Sequence, residues 1–172
     1  IARMQDAAAR MQTLIQDLLM FSRVTTKAQP FVQVDLTELA HQVVAELEPL
    51  IQQVGGRVEV GQLPTMEADP LQLSQLLYNL IHNGLKFQEA GQSPVVEIKG
   101  KTLKRETGYL IRSSSKDVLC QITVKDNGIG FEEKYLDRIF QVFQRLHSRE
   151  KYGGTGIGLA ICRKIAERHG GS

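Results

Sequence analysis

A short glycine-rich run near the end of the sequence has the composition of a phosphate-binding loop. It reads Gly154-Thr155-Gly156-Ile157-Gly158, and the apolar residues after it predict a helix that begins directly behind the loop. Glycine at every second position lets a backbone approach a ligand closely and turn its N–H groups inward. A helix N-terminus adds unpaired N–H groups and a dipole that favours an anion. Similar turns precede many helices that bind nothing, so this run alone is not specific.

The two best-known phosphate loops do not match this run. The loop of P-loop NTPases ends in Gly-Lys-Ser/Thr, and that ending is absent here. The dinucleotide fingerprint Gly-x-Gly-x-x-Gly directly follows a strand, whereas polar and charged residues precede this run. If the run binds phosphate, it belongs to another kind of nucleotide site.

A second glycine loop, Asp126 to Gly130, follows a predicted strand that ends at Lys125. A carboxylate at a strand end can accept a hydrogen bond from an exocyclic amine such as that of adenine. An ordinary Asp-Asn-Gly turn has the same sequence. Taken by itself, the ordinary turn is the simpler interpretation.

A polar stripe lies on a predicted helix from Leu71 to about Phe87. It contains Asn79, Asn83 and Lys86, at steps of four and three residues. Asparagine is a poor helix former, so two on one stripe require an explanation. The Asn83 amide oxygen could bind a magnesium ion otherwise held by phosphates and water, and Lys86 could meet the phosphates. An ordinary helix face exposed to solvent would have the same pattern of polar residues.

The elements that must position these residues alternate between helix and strand. Asp35 and Asp69 are predicted N-caps, with a Glu three residues after Asp35 and a Pro directly after Asp69. Gly55 and Gly56 end the first of these helices. Strands are predicted at 31–34, 57–60, 65–68, 95–103 and 118–125, and helices at 36–54, 71–87 and from Gly158 to about His169. This order predicts an α/β sandwich, a sheet covered on one side by helices. A polar insert between the last two strands, with Lys104, Arg105, Arg112 and Lys116, is predicted to be a solvated loop.

The first segment predicts a helix to about Arg23 that packs lengthwise against another helix. Its apolar residues alternate at steps of three and four, the pattern of a coiled-coil seam: Met4, Ala7, Met11, Leu14, Leu18 and Phe21. A surface helix lying on its own domain is the alternative interpretation.

Composition narrows the class of protein. With 42% hydrophobic residues and 5 prolines among 172, the chain is not disordered. A net charge of +2 gives no case for nucleic acid, and no apolar run has the length of a membrane helix or the form of a signal peptide. Cys120 and Cys162 are predicted to be buried thiols of a cytoplasmic protein, and the four histidines lack the spacing of a zinc site.

The order of the motifs is more specific than any one of them. Asn-x-x-x-Asn-x-x-Lys-Phe, Asp-x-Gly-x-Gly, Phe-x-x-Phe and Gly-x-Gly-x-Gly-Leu follow one another from Asn79 to Leu159. This series resembles the boxes of the catalytic domain of sensor histidine kinases, from about Phe31 to Ser172. The resemblance implies a Bergerat-type ATP-binding two-layer α/β sandwich, with ATP and Mg²⁺ as ligands. It also implies a lid between the two glycine loops that closes over the nucleotide.

Roles follow from the resemblance position by position. Asn83 resembles the magnesium ligand and Asn79 its neighbour, while Lys86 and the lid residue Arg145 resemble phosphate contacts. Asp126 resembles the carboxylate that reads adenine. The other implied nucleotide contacts are Phe87, Gly128, Gly130, the lid anchors Phe140 and Phe143, and the phosphate-side residues Gly154, Thr155, Gly156, Gly158 and Leu159.

The first helix resembles the second helix of the family's dimerisation hairpin. This implies residues 1–28 as part of a dimeric four-helix bundle and 29–172 as the catalytic domain. Further implied partners are a response regulator receiver domain and a sensor domain elsewhere in the protein. His41, His82, His147 and His169 lack the acidic residue and proline that accompany the family's phosphate acceptor. We therefore expect the acceptor helix to precede Ile1 and further strands to follow Ser172.

Three alternatives remain at this stage. ATP hydrolases of the same fold carry a glutamate four residues before the magnesium asparagine, where this chain has Asn79, which cannot act as a general base. Serine kinases of the anti-sigma-factor type lack the dimerisation hairpin. The apolar seam of the first helix therefore argues against a serine kinase. A module that only scaffolds partners would not need all four boxes.

Overall fold

The computed structural model describes residues 2–26, 28–104, 118–146 and 152–172. The helices are α1 (Ala2–Thr26), α2 (Leu36–Val54), α3 (Pro70–Lys86), α4 (Leu136–Ile139) and α5 (Gly158–Arg168). The strands are β1 (Val32–Asp35), β2 (Arg57–Val60), β3 (Thr65–Ala68), β4 (Val95–Lys104) and β5 (Val118–Asp126). A 3₁₀ turn at Glu133–Tyr135 leads into α4. Apart from Lys104, the polar insert predicted between β4 and β5 lies outside the described residues, as does His147.

The predicted capping residues set the helix boundaries. The Asp35 carboxylate accepts hydrogen bonds from the N–H groups of Thr37 and Glu38, which satisfies two donors that a helix leaves unpaired. At the other end of α2, Gly55 has φ of +62°, the left-handed conformation that glycine adopts without strain. Asp69 caps α3 in the same way, and Pro70 occupies its first turn.

The strands form two sheets rather than one. β2 pairs in parallel with β4, and β4 pairs antiparallel with β5 over the register Val96↔Asp126 to Lys104↔Val118. β1 and β3 pair antiparallel with each other in a separate two-stranded sheet. The main sheet is mixed, as predicted, and β1 and β3 lie outside it. The register matters for the site because it places Asp126 opposite Val96.

The core lies between the main sheet and a layer of α2, α3 and α5. Fully buried residues on the inner face of β4 meet α3, which in turn packs against both other helices. Side chains with less than 2% exposure include Leu77, Ile81, Leu85, Ile98, Ile161 and Ile165. Because α3 is central to this packing, its orientation is fixed by apolar burial, and its polar stripe is held in place with it.

Helix α1 lies against α5, and the seam predicted for it divides into two parts. Leu14 and Phe21 pack against the core, and Val24 is 5% exposed. Met4 and Met11 are 76% and 62% exposed. The C-terminal part of the described helix thus packs on the domain through Leu14, Phe21 and Val24, whereas Met4, Met11 and Leu18 (49% exposed) present apolar side chains to solvent. The place of this helix in a dimeric bundle stays a prediction.

A buried polar cluster joins the segment after α1 to the N-terminal end of α3 and the C-terminal end of α5. Asp69 is 1% exposed, and its carboxylate accepts hydrogen bonds from the Gln29 N–H at 2.8 Å and from Arg168 at 3.1 Å. His169 Nε2 accepts from the Asp69 N–H at 3.1 Å, and its ring stacks on Phe31 with centroids 4.6 Å apart. These contacts give His169 a structural role in the cluster.

Replacing Asp69 with alanine is expected to destabilise the fold by about 3–5 kcal/mol. The change removes the buried carboxylate and leaves the Arg168 guanidinium, which is 22% exposed, without its ion-pair partner. Urea unfolding followed by circular dichroism measures the change. Glu59→Ala provides the control, since the Arg57–Glu59 pair is 67% and 51% exposed, and such pairs contribute less than about 1 kcal/mol. Equal losses in both variants would contradict the assignment of Asp69.

The two cysteines differ in environment. Cys162 is buried in α5, and burial raises the pKa of its thiol to about 12. Cys120 is only half-buried, so the prediction that both are buried is wrong for Cys120. Cys120 lies on the face of β5 that packs against the core, together with Ile122 and Val124, but this face is only partly covered. Both thiols are free. Within the described ranges, no helix is long and apolar enough to cross a membrane.

Candidate nucleotide-binding site

The polar stripe of α3 lies where this helix approaches the end of β5 most closely. Gly84 makes the approach possible: a Cβ there would lie 2.8 Å from a Val96 methyl group and 3.1 Å from the Asp126 Cβ. The sequence reasoning did not identify Gly84. A glycine inside a helix lowers the stability of the helix by roughly 1 kcal/mol relative to alanine. A glycine at such a position therefore indicates a close contact that leaves no room for a side chain. Gly84 therefore brings the stripe and the Asp126 loop into one site.

Asn79 connects α3 to the start of α5. Its side-chain N–H donates to the Gly158 carbonyl at 3.4 Å, and its Oδ1 accepts from Gln75 at 3.2 Å. Burial dominates the raised pKa of Cys162, and a hydrogen bond with Asn79 opposes it in part. Asn79 thus supports the glycine loop at Gly158 rather than presenting a free amide.

Asn83 has a different environment from Asn79. It is half-buried, and its side chain forms no hydrogen bond with the part of the chain that the structure describes. Its backbone carbonyl accepts the N–H of Phe87 at the helix end. Asn83 is therefore the member of the stripe with an amide oxygen available to a ligand.

The Asp126 loop is built around the end of α3. Asp126 Oδ1 accepts the Gly128 N–H at 2.8 Å, and the Ile129 N–H donates to the Phe87 carbonyl at 3.0 Å. A Cβ at Gly128 would lie 2.4 Å from that same carbonyl, so a side chain cannot fit there. Gly130 has φ of +59°. Asp126 itself is exposed, and its Oδ2 has no partner among the described residues.

Asn127 holds this loop to the beginning of β4. Its Oδ1 accepts the Val95 N–H at 2.8 Å, and its side-chain N–H donates to the Ser93 carbonyl at 3.1 Å. The sequence indicated only a turn at this position. The structure gives the asparagine a supporting role beside Asp126.

Two cations converge on the phosphate-side loop. The Lys86 ammonium lies 2.7 Å from where a Gly154 Cβ would stand, and Arg145 donates to the Gly154 carbonyl at 2.9 Å and to the Tyr152 carbonyl. Burial lowers the pKa of Lys86, and the neighbouring Arg145 lowers it further. Neither cation forms an ion pair with a carboxylate among the described residues. This is an arrangement that stabilises an anion.

The lid residues pack on the same loop. The Phe143 N–H donates to the Gly156 carbonyl at 3.0 Å, and a Cβ at Gly156 would lie 2.7 Å from the Gln144 carbonyl. Phe143 is 58% exposed with φ of +65°, whereas Phe140 is half-buried beside Arg163, whose guanidinium lies 6.0 Å from the Phe140 ring centroid. The two predicted lid anchors therefore have different environments.

The rings of Phe87 and Tyr152 pack together at the C-terminal end of α3, a contact that the sequence did not predict. Tyr152 is 8% exposed, lies with its ring centroid 5.3 Å from that of Phe87, and donates its hydroxyl to the Gln88 carbonyl at 2.6 Å. Lys86 is also near this pair, with its ammonium 5.1 Å from the Phe87 centroid. A lone tyrosine in a polar segment carries no periodic signal that would have identified it.

A sequence profile described as histidine kinase-, DNA gyrase B-, and HSP90-like ATPase matches residues 68–172, more than half of the chain. The chain belongs to this family. The matched range contains every predicted nucleotide-contacting residue.

One sequence relative and two solved structures illustrate what this chain is similar to. The phytochrome-like protein Cph1 of Synechocystis sp. is 40% identical over 161 residues, which cover 94% of this chain and 20% of Cph1. Full-length ShkA in complex with AMPPNP aligns with 99% of this chain and 34% of its own, at 24% identity and a TM-score of 0.68. Histidine kinase ThkA in complex with response regulator protein TrrA aligns with 97% of this chain and 43% of its own, at 20% identity and a TM-score of 0.64.

These comparisons confirm two predictions. The fold is the two-layer α/β sandwich of the family, and the resemblance to the ATP-binding catalytic domain of histidine kinases holds. The chain spans about a fifth of the length of Cph1 and of the cyanobacterial phytochromes that it also matches.

The remaining predicted contacts lie at the start of α5 and on the loop before it. Gly158 begins α5, and Leu159 is half-buried in its first turn. Ile157, which precedes the helix, provides no side-chain cap, so the first N–H groups of α5 are not capped by the residue before it. Thr155 donates its hydroxyl to Asp17 of α1, a contact that the sequence did not suggest.

The donor set fits magnesium brought in by a nucleotide rather than a resident metal. No group of three His, Cys, Asp or Glu side chains in the described ranges is placed to hold a metal ion. The available ligand is the neutral Asn83 oxygen, which suits an ion otherwise bound by phosphates and water. Burial, and then the neighbouring Lys86, lower the pKa of His82, one residue before Asn83.

Proposed function

We propose that the protein containing this chain is a sensor histidine kinase that transfers the γ-phosphoryl group of ATP to a histidine, and that the site described above binds the ATP. One observation carries the proposal: Lys86 and Arg145 converge on the Gly154 loop without a carboxylate partner in the described structure. Two neighbouring cations cost free energy unless an anion occupies the site. A triphosphate supplies that anion.

The base end of the nucleotide is assigned to the Asp126 loop. Asp126 Oδ2 is free to accept a hydrogen bond from the adenine amine, while Oδ1 is held by the Gly128 N–H. The absence of a side chain at Gly128 leaves space beside the carboxylate. Phe87, whose carbonyl accepts the Ile129 N–H of this loop, supplies the nearby aromatic surface.

The phosphate end is assigned to Lys86, Arg145 and the loop from Gly154 to Gly158. Phosphoryl transfer depends mainly on positioning and on neutralising charge on the transferred group. Lys86 and Arg145 would supply fixed positive charge, and the uncapped N–H groups of α5 would add the favourable end of the helix dipole. When bound, Mg²⁺ supplies further charge neutralisation, with Asn83 as its protein ligand.

The remaining parts of the proposal concern assembly. The exposed apolar side chains of α1, including Met4 and Met11, suit a second copy in a helical bundle. Residues 1–28 are accordingly assigned to a dimerisation helix and 29–172 to the catalytic domain. A response regulator receiver domain is proposed as the phosphate acceptor in a relay, and a sensor domain as the source of the signal, in a cytoplasmic location.

The hydrolase alternative is disfavoured by the residue at position 79. A glutamate there could activate water, but Asn79 cannot accept a proton, and its side chain is already paired with Gly158 and Gln75. ATP bound at this site would therefore lack a general base from α3.

The test is incubation of the full-length protein with γ-labelled ATP. Label is expected on the protein in an acid-labile, base-stable form, as a phosphohistidine. Asn83→Ala is expected to lower the initial rate at least about 10-fold, because a metal ligand is lost, while Asp137→Ala on the exposed face of α4 should leave it unchanged. Release of inorganic phosphate without labelled protein would identify a hydrolase instead.

A further inference from the structure

The phosphate-side loop, from Gly154 to Gly158, is attached to α1 through the side chain of Thr155. Thr155 lies between Gly154 and Gly156, and its hydroxyl donates to the Asp17 carboxylate. The two glycines have φ of +124° and +76°, values that only glycine adopts readily. Arg145 and the Phe143 N–H hold the backbone carbonyls of these glycines, and Thr155 between them adds a side chain through which α1 can hold the loop.

A second contact fixes the orientation of α1 relative to α5. The Lys164 ammonium donates to the Phe21 carbonyl at 3.1 Å and lies 4.1 Å from the centre of the Phe21 ring. Phe21 follows Asp17 by four residues, so both lie on one face of α1. Lys164 lies on α5, six residues after Gly158, the glycine that ends the loop. Together the two contacts place Asp17 beside the loop.

The hydrogen bond is large enough to affect the loop. Ordering a loop residue costs conformational entropy, and glycine loses the most freedom. A side-chain hydrogen bond to the loop contributes free energy of comparable size. One such bond thus offsets much of the cost of ordering a glycine, on the loop that faces Lys86.

We propose that Asp17 is a positioning residue for the phosphate-side loop, acting from α1 through Thr155. The inference rests on the proposed binding of ATP at this site and extends it by one residue outside the catalytic domain. The required property is the hydrogen-bond acceptor, since a negative charge near a phosphate site by itself lowers anion affinity. Asp17 holds the loop in the conformation that receives phosphate, and the seating of α1 on α5 is thereby coupled to nucleotide affinity.

The test is a double-mutant cycle with two ligands, an ATP analogue and adenosine, measured by calorimetry on the chain. Asp17→Ala and Thr155→Val are each expected to lower affinity for the analogue roughly 5- to 10-fold, and the double variant no further. Asp17→Asn keeps an acceptor and should bind the analogue at least as well as the unaltered chain. Adenosine, which lacks phosphate, should bind equally to all variants. Gln16→Ala, an exposed neighbour on α1, is the control.

Additive losses, or unchanged affinity in the two single variants, would overturn the inference alone. A parallel fall in adenosine affinity would overturn it as well, because the effect would then be a general loss of structure. If the unaltered chain binds neither ligand, the proposed function fails, and the inference fails with it.

Discussion

Replacing Asp126 with asparagine is expected to weaken binding of an ATP analogue roughly 10- to 100-fold. The exchange keeps an oxygen that can accept the Gly128 N–H, so the loop retains its main internal hydrogen bond. It replaces the free carboxylate oxygen with an N–H₂ group, which would face the adenine amine donor to donor. Calorimetric titration with and without magnesium measures the loss.

The same variant also tests which part of the nucleotide Asp126 contacts. Guanine carries an acceptor oxygen where adenine carries its amine, so the preference for the ATP analogue over the GTP analogue should narrow in Asp126→Asn. Asp137→Asn is the matched control, because this carboxylate is exposed on α4 and belongs to none of the predicted nucleotide contacts. An unchanged preference with unchanged affinity would remove Asp126 from the base-binding site.

Replacing Lys86 with alanine is expected to weaken binding of the ATP analogue by about 100-fold, since a desolvated cation that pairs with phosphate contributes roughly 2–5 kcal/mol. Adenosine should lose little affinity, because the Asp126 loop is unaltered. Comparison of the two ligands separates loss of the phosphate contact from loss of the fold. Equal losses for both ligands would contradict the assignment of Lys86 to phosphate.

The lowered pKa of Lys86 adds a pH dependence of definite sign. Burial and Arg145 disfavour the charged form in the free chain, so its pKa lies below the ordinary 10.5, while a bound phosphate favours that form and raises the pKa. Binding therefore takes up a proton, and affinity falls as pH rises through the lowered pKa of the free chain. Lys86→Arg, which stays charged throughout, should remove this decline.

The elements were predictable where local chemistry decides them. Asp35, Asp69 and Gly55 set helix boundaries through contacts within a few residues, so the sequence alone placed those boundaries to within one or two residues. The motif order predicted which residues would meet, and the structure brings Lys86 and Gly154 together across 68 positions of sequence. The assignment of each residue to a part of the nucleotide stays a prediction.

Other features depend on contacts that no local pattern records. The pairing of β1 with β3 alone, rather than with the main sheet, follows from how the layers pack. Tyr152 reaches Gln88, and Thr155 reaches Asp17, over 64 and 138 residues of sequence. Such partners can be recognised only after the fold is known, because a single polar side chain has no periodicity.

The close approach at Gly84 has a consequence for how the molecule folds. The last turns of α3 contain two asparagines and a glycine, residues that lower the intrinsic stability of a helix. Their helical conformation therefore depends on contact with β4 and on the apolar residues of the opposite face. The region proposed to bind nucleotide is the part of α3 least able to form on its own. Its order is established cooperatively with the sheet, and a ligand bound there would stabilise the whole domain rather than one loop.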